Sequence, residues 1–155
     1  MYEQFKVKAE GVSAEVHRFT TSADALAFLV DFLQEEEVTD QDGRYCVVAD
    51  SPFLGSIDRK QLAEIPGVFF DVTRELAAGA KVGISQVDWA LADTGTLVQD
   101  ATAADKRLVS TLPLIHIAMI ATSGLRPDMP AWLADADPDK AGYLAMITGP
   151  SRTAD

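Results

Sequence analysis

Two short segments concentrate the groups that chemistry on a small anion would need. Thr148-Gly149-Pro150-Ser151-Arg152-Thr153 combines a flexible glycine, a rigid proline, hydroxyls and a guanidinium. Backbone amides and an arginine fork both donate to anionic oxygens, so the mixture suits a carboxylate or a phosphate. The same residues also read as a capped helix start, with Ser151 or Thr153 as N-cap and Arg152 in solvent. The second segment is Asp93-Thr94-Gly95-Thr96. Gly95 can take a positive φ, and Asp93, Thr94 and Thr96 crowd donors and acceptors around it. A tight turn whose side chains satisfy their own backbone would look like this, and so would one wall of a small-molecule pocket. The ligand-binding candidates are therefore Thr94, Gly95, Thr96, Gly149, Ser151, Arg152 and Thr153. Neither segment has the spacing of a phosphate-binding P-loop or a dinucleotide fingerprint.

Acid or base catalysis has two candidates, Asp93 and His116. His116 interrupts an otherwise apolar run after Leu112-Pro113, where a buried imidazole needs a hydrogen-bond partner. A satisfied core or subunit-interface histidine is the plainer role for it, and a catalytic base the sharper one. His17 falls on the polar alternate of an early extended segment and is expected at the surface. With two histidines far apart and no Asp or Glu at ligand spacing from either, the pattern supports no metal site, and no cofactor is expected. Ser51, Ser56, Ser85, Ser110 and Ser123 all lack the Gly-x-Ser-x-Gly frame of a nucleophile elbow. The acidic pairs Asp40 with Asp42 and Asp135 with Asp137 read as solvated surface, and Trp89 and Trp132 as packing anchors.

The elements that must position these groups follow from periodicity and turn chemistry. Alternation in Ala14–Phe19 predicts a first strand. Thr21 to Asp24 supply capping chemistry for a helix through about Gln34, whose leucines recur at helical spacing, and Glu35-Glu36-Glu37 should fray at its negative dipole end. Tyr45 to Ala49 and Val68 to Phe70 read as buried strands, with a short polar helix around Asp58 to Glu64 between them. A helix of two turns from Thr73 closes at Gly79, and Lys81 to Ile84 is the next strand. Ser85 is expected to start a short helical turn through Asp88 to Leu91, followed by an extended Thr96 to Gln99. Leu114 to Ile120 is the strongest strand signal in the chain. Pro127 to Ala134 should hold a helix carrying Trp132, and Tyr143 to Ile147 a last buried strand. Apolar strands alternating with helices imply a three-layer α/β/α sandwich with a mainly parallel sheet. Ligand sites in such sheets collect at the carboxyl ends of strands, which is where both polar segments are expected.

At 155 residues the chain fits one domain, 1–155, with a core that needs no disulfide or metal. A formal net charge of -11 argues against nucleic acid and anionic membrane surfaces as partners. The lone cysteine, Cys46, lies in an apolar run and reads as an inert, buried thiol. The polar start Met1–Lys6 has no signal-peptide core, and no apolar run approaches the roughly 20 residues a bilayer requires, so a cytoplasmic location is expected.

Three stretches together resemble the LUD (lactate utilisation) domain family: Val82 to Val98, Arg107 to Ile117, and Ile147 to Asp155. The similarity is specific from about Val82 onward and only pattern-like over Ala14 to Thr73. The resemblance implies a fold like that of the NagB/RpiA/CoA-transferase-like group, in agreement with the sandwich read above. It implies a role in oxidising L-lactate to pyruvate beside iron-sulfur lactate oxidation proteins. One cysteine cannot hold such a cluster, which would make this chain the clusterless accessory subunit. An enzyme or binding protein for a small anionic metabolite (a carboxylate, sugar phosphate or CoA ester) is the alternative. Family members continue past the position of Asp155 into a helix and a further strand. Without them the chain would present an unpaired edge, which invites a homodimer.

Overall fold

The chain opens with a helix that its periodicity announces only faintly. In the computed structural model, which describes residues Met1–Ser151, α1 (Tyr2–Gly11) buries Phe5 and Ala9, one turn apart, and leaves its other residues, Val7 among them, exposed or half-exposed. The strand expected over Ala14–Phe19 does not form. Ala14 and Val16 are half-buried and Glu15 and His17 exposed, so the alternation is expressed as burial against the cluster around Phe5 and Ala9, with no place in a sheet. The fold divides into two compact units, a first from Met1–His17, Val87–Thr102 and Ile120 onward, and a second from Arg18–Gln86 and Ala103–Met119.

The second unit is the parallel part. Thr21 Oγ1 accepts the Asp24 amide at 3.1 Å and starts α2 (Ser22–Glu35), which buries Leu26, Leu29 and Leu33. Its acidic end does not simply fray. Lys81 Nζ donates to the Glu36 carbonyl at 2.7 Å and pairs with its carboxylate at 3.2 Å, setting a cation at the negative pole of the helix while Glu35 and Glu37 stay exposed. There follow β1 (Tyr45–Val48), α3 (Pro52–Gly55), α4 (Lys60–Ala63), β2 (Val68–Phe69), α5 (Arg74–Ala78), β3 (Ala80–Gln86), α6 (Ala104–Thr111) and β6 (Ile115–Met119). The strands pair in the order β2-β1-β3-β6, all parallel.

Side-chain alternation makes this unit three-layered. Cys46 and Val48 of β1 and Val82 and Ile84 of β3 pack with the leucines of α2 and with Leu62 of α4. Val47 and Ala49, pointing the other way, pack with Ala77 of α5 and Val109 of α6. Gly83 permits the second contact: a Cβ there would lie 2.1 Å from the Val109 carbonyl oxygen. The α/β/α layering read from the sequence is thus present. The apolar Leu114–Ile120 run, however, supplies the edge strand β6, which is half-buried along its length.

The first unit holds a second sheet that strand counting did not anticipate. Ser85 does not begin a helical turn, because it is a buried residue of β3, and Trp89–Leu91 forms a strand, β4. β5 (Thr96–Asp100), β7 (Leu125–Arg126), α7 (Met129–Asp135) and β8 (Leu144–Ile147) complete the unit. The sheet order is β7-β4-β5-β8, with β4 antiparallel to β5, β5 antiparallel to β8, and β4 parallel to β7. Ala90 and Leu97 face Phe5 and Ala9 of α1, whereas Leu91 and Val98 face Trp132 of α7. Asp128 caps α7 by accepting the Ala131 amide at 2.8 Å. β8 closes an edge and is only half-buried, with Met146 exposed, rather than the buried strand expected. Among the described residues no helix is long and apolar enough to cross a membrane.

Candidate functional site

The Thr94-Gly95-Thr96 segment is the turn of the β4–β5 hairpin. Leu91 and Thr96 are paired across it, and the Gly95 amide donates to the Leu91 carbonyl at 3.0 Å. The Asp93 amide donates to the Pro127 carbonyl at 3.1 Å, which ties the turn to the segment entering α7. Gly95 takes the positive φ anticipated for it, +70°, and a Cβ there would lie 2.5 Å from the Ala9 amide nitrogen. Only glycine meets both the backbone conformation and the close approach of α1.

The loop after β8 arrives beside this turn because β8 runs antiparallel to β5. Leu97 pairs with Ile147, which sets Thr148 opposite Thr96. Thr94 Oγ1 lies 2.7 Å from Thr96 Oγ1, and Thr96 Oγ1 lies 2.8 Å from Thr148 Oγ1. Gly149 also has positive φ, +65°, and a Cβ on it would lie 2.3 Å from the Val12 carbonyl oxygen. Both loop glycines therefore rest on α1 or its exit, the element least visible in the sequence. Thr96 is buried at the centre of the hydroxyl chain, and Thr94 and Thr148 are its exposed ends. Three hydroxyls hold three protons and two close the chain, which leaves one for a further acceptor.

The sequence candidates thus separate into groups. Thr94, Gly95, Thr96 and Gly149 come together in the first unit. Asp93 is exposed on the same turn, and Ser151 is exposed at the end of the described chain. Arg152 and Thr153 lie outside the described residues. Thr148, quoted in the motif but not singled out as a ligand group, proves to be the residue that joins the two segments; its signal was the register of two strands, which single-segment patterns do not carry. α1 had a signal in the helical spacing of Phe5 and Ala9.

His116 belongs to the second unit. It pairs with Gly83 across β3 and β6, and its Nε2 lies 2.8 Å from Ser85 Oγ, so the half-buried imidazole has a hydrogen-bond partner. Burial lowers its pKa from 6.5 to about 4, leaving the ring neutral at pH 7. Ser85 is 1% exposed, so the contact is a core bond on the face of the sheet covered by α6. Burial pushes the Cys46 thiol up to about 12, the inert state expected of it. Among the described residues no group of three or more His, Cys, Asp and Glu is arranged to hold a metal ion.

Comparison with known proteins agrees with this architecture. A crystal structure of a DUF162 family protein from Deinococcus radiodurans superposes with a TM-score of 0.68, covering 96% of this chain and 86% of that one at 16% identity. At that identity the likeness establishes the class: an α/β protein of the same fold. The LUD domain family model matches residues 2–155, and the chain belongs to that family. A lactate utilization protein C from Exiguobacterium sp. is 40% identical over 91 residues, 55% of this chain. The matched stretch spans 40% of that relative's own length.

Proposed function

We propose that the first unit binds a small anionic metabolite where the β4–β5 turn meets the loop after β8, and that the protein serves L-lactate utilisation in the cytoplasm as a clusterless accessory subunit. The observation that carries the reading is the hydroxyl chain through Thr94, Thr96 and Thr148, which joins the two segments richest in anion-binding groups. Its spare proton, the backbone that follows Gly149, the Ser151 and Thr153 hydroxyls and the Arg152 guanidinium are donors of the kind that grip a carboxylate or phosphate. A carboxylate, a sugar phosphate and a CoA ester are the ligand classes. Asp93, exposed on the same turn, is the acid or base for any turnover at this site, whereas His116 is bonded within the second unit.

The lactate assignment is supported by family membership and by the name of the Exiguobacterium relative. Iron-sulfur lactate oxidation proteins are the partners this reading requires, since one buried cysteine cannot ligate a cluster.

Calorimetry on the full chain with L-lactate, pyruvate, ribose 5-phosphate and acetyl-CoA tests the site. At least one should bind, and Arg152→Ala should lose about 1.5–3 kcal/mol of that binding, the worth of a charge-assisted contact. Absence of binding by all four would remove the anion site. Normal growth on lactate after deletion of the gene, with no cysteine-rich partner co-purifying, would remove the lactate role.

A further inference from the structure

The two edges of the parallel sheet are finished in opposite ways. β2 is two residues long and follows Pro66 and Gly67, the short, proline-flanked form that blunts an edge. β6, at the other edge, is five residues long and pairs with β3 without a register shift. Ile115-His116-Ile117-Ala118-Met119 has no proline, no bulge and, with its imidazole neutral, no charge at pH 7. Among the described residues its outer side pairs with no strand, so it presents the row of N–H and C=O groups that templates a further strand.

Apolar side chains widen this edge on the α2 face of the sheet. Ile115, Ile117 and Met119 pack with Phe32 against the core under α2, yet all four remain only half-buried. The Phe28 ring centre lies 6.1 Å from that of Phe32 and 5.3 Å from that of Phe19, which is itself exposed. Immediately before the strand, Leu114 is 85% exposed and Leu112 is 41% exposed.

Charge and register select the occupant. The chain carries a net charge of -11, so two copies repel over most of their surface and can meet only along a neutral strip such as this one. The strip is also self-complementary. A two-fold axis normal to the sheet sets a second β6 antiparallel and keeps each side chain on its own face, which requires the register to centre on a residue. Centred on Ile117, it pairs the whole strand: Ile115 with Met119, Ile117 with itself, and His116 with Ala118, a large side chain against a small one. We propose that the chain forms a two-fold dimer by antiparallel pairing of β6 with β6 of a second copy, with Ile117 on the axis and Phe19 and Leu114 buried beside the joint. The dimer stands independently of the anion site proposed at the hairpin turn. One strand and a few flanking side chains fall short of the roughly 20–30 residues a side of a standard interface, so dissociation is expected at roughly micromolar concentration.

Sedimentation equilibrium of the full chain from about 1 to 200 μM brackets that range. A reversible monomer–dimer equilibrium is expected, tightening as salt rises from about 0.1 to 0.5 M because screening relieves the repulsion between acidic chains. Ile117→Lys sets two ammonium groups opposite each other on the axis and should weaken association by about tenfold or more. Leu114→Lys, at a position already in solvent, should weaken it without disturbing the fold, and circular dichroism checks that both variants fold. Ile117→Cys supplies a readout that needs no charge. Because Cys46 is buried and inert, a short bis-maleimide should join two chains through the introduced thiol alone, and Val7→Cys, exposed on α1, should be joined far more slowly. Should Ile117→Lys fail to fold, Leu114→Lys and the crosslinking decide. Monomer at every concentration, association that continues past the dimer, a dimer indifferent to the lysine substitutions, or crosslinking of Ile117→Cys no faster than of Val7→Cys would each overturn the proposal.

Discussion

Thr96 Oγ1 sits 2.8 Å from Thr148 Oγ1 across 52 residues of chain, and this hydroxyl contact makes two separate loops into one surface. Replacing Thr96 with valine keeps its shape and removes both of its hydroxyl bonds. Thr94 and Thr148 are exposed and can turn to water, so the expected loss is about 1 kcal/mol rather than the larger cost of a stranded buried group. Urea unfolding of Thr96→Val measures it, and a midpoint equal to that of the parent would mean that the chain of hydroxyls adds no stability. Thr148→Val should cost less, because its hydroxyl lies at a solvated end.

The loop glycines make a sharper demand. Gly95→Ala and Gly149→Ala each place a methyl group within 2.5 Å of backbone atoms, at positive φ. Each should destabilise by about 1–3 kcal/mol from backbone strain alone, with the clash added. Gly11, at the end of α1, is the control: nothing lies within 4 Å of its missing Cβ, and alanine there should be neutral or stabilising by about 0.5–1 kcal/mol. Thermal unfolding of the three proteins separates the cases, and equal effects would contradict the packing of both loops on the N-terminal helix.

His116 imposes a pH dependence with a definite sign. Its pKa falls from 6.5 unfolded to about 4 folded. Between these values the unfolded chain binds more protons than the folded one, so stability rises with pH across this window and is fully present above 6.5. Lowering the pH from 6.5 to 4 should therefore remove about 3 kcal/mol through this residue. His116→Gln should flatten that part of the stability profile, and an unchanged slope in the variant would assign the acid sensitivity to other groups.

Cys46 gives a clean probe of the second unit. With no exposed surface and its pKa pushed up to about 12, it should resist a thiol reagent such as Ellman's reagent at pH 8 in the folded protein. Labelling should follow unfolding of the parallel sheet in denaturant. Rapid labelling under native conditions would show that β1 opens far more readily than its burial implies.

Much of the parallel unit was legible because its signals are local. The Thr21 cap, the Leu26, Leu29 and Leu33 spacing, the Tyr45–Val48 strand and the Thr73 cap each express a preference that neighbouring residues satisfy among themselves. Readings failed where the deciding partner was distant. Ser85 has the chemistry of a helix cap, yet pairing with Ala118 of β6 keeps its backbone in a strand. Ala14 to Phe19 has the alternation of a strand, yet among the described residues it pairs into neither sheet.

By itself, then, the sequence determined the family, the α/β layering and the two polar segments proposed to bind an anion, since these depend on residue types and short-range spacing. Tertiary structure alone decided that Thr148 would meet Thr96, that α1 and its exit would support the two glycines, and that Trp89 and Trp132 would share a wall with three carboxylates. The physical reason is common to all three. Strand register and the closure of loops onto a helix are set by the burial of the whole chain, a free energy that no short window of sequence contains.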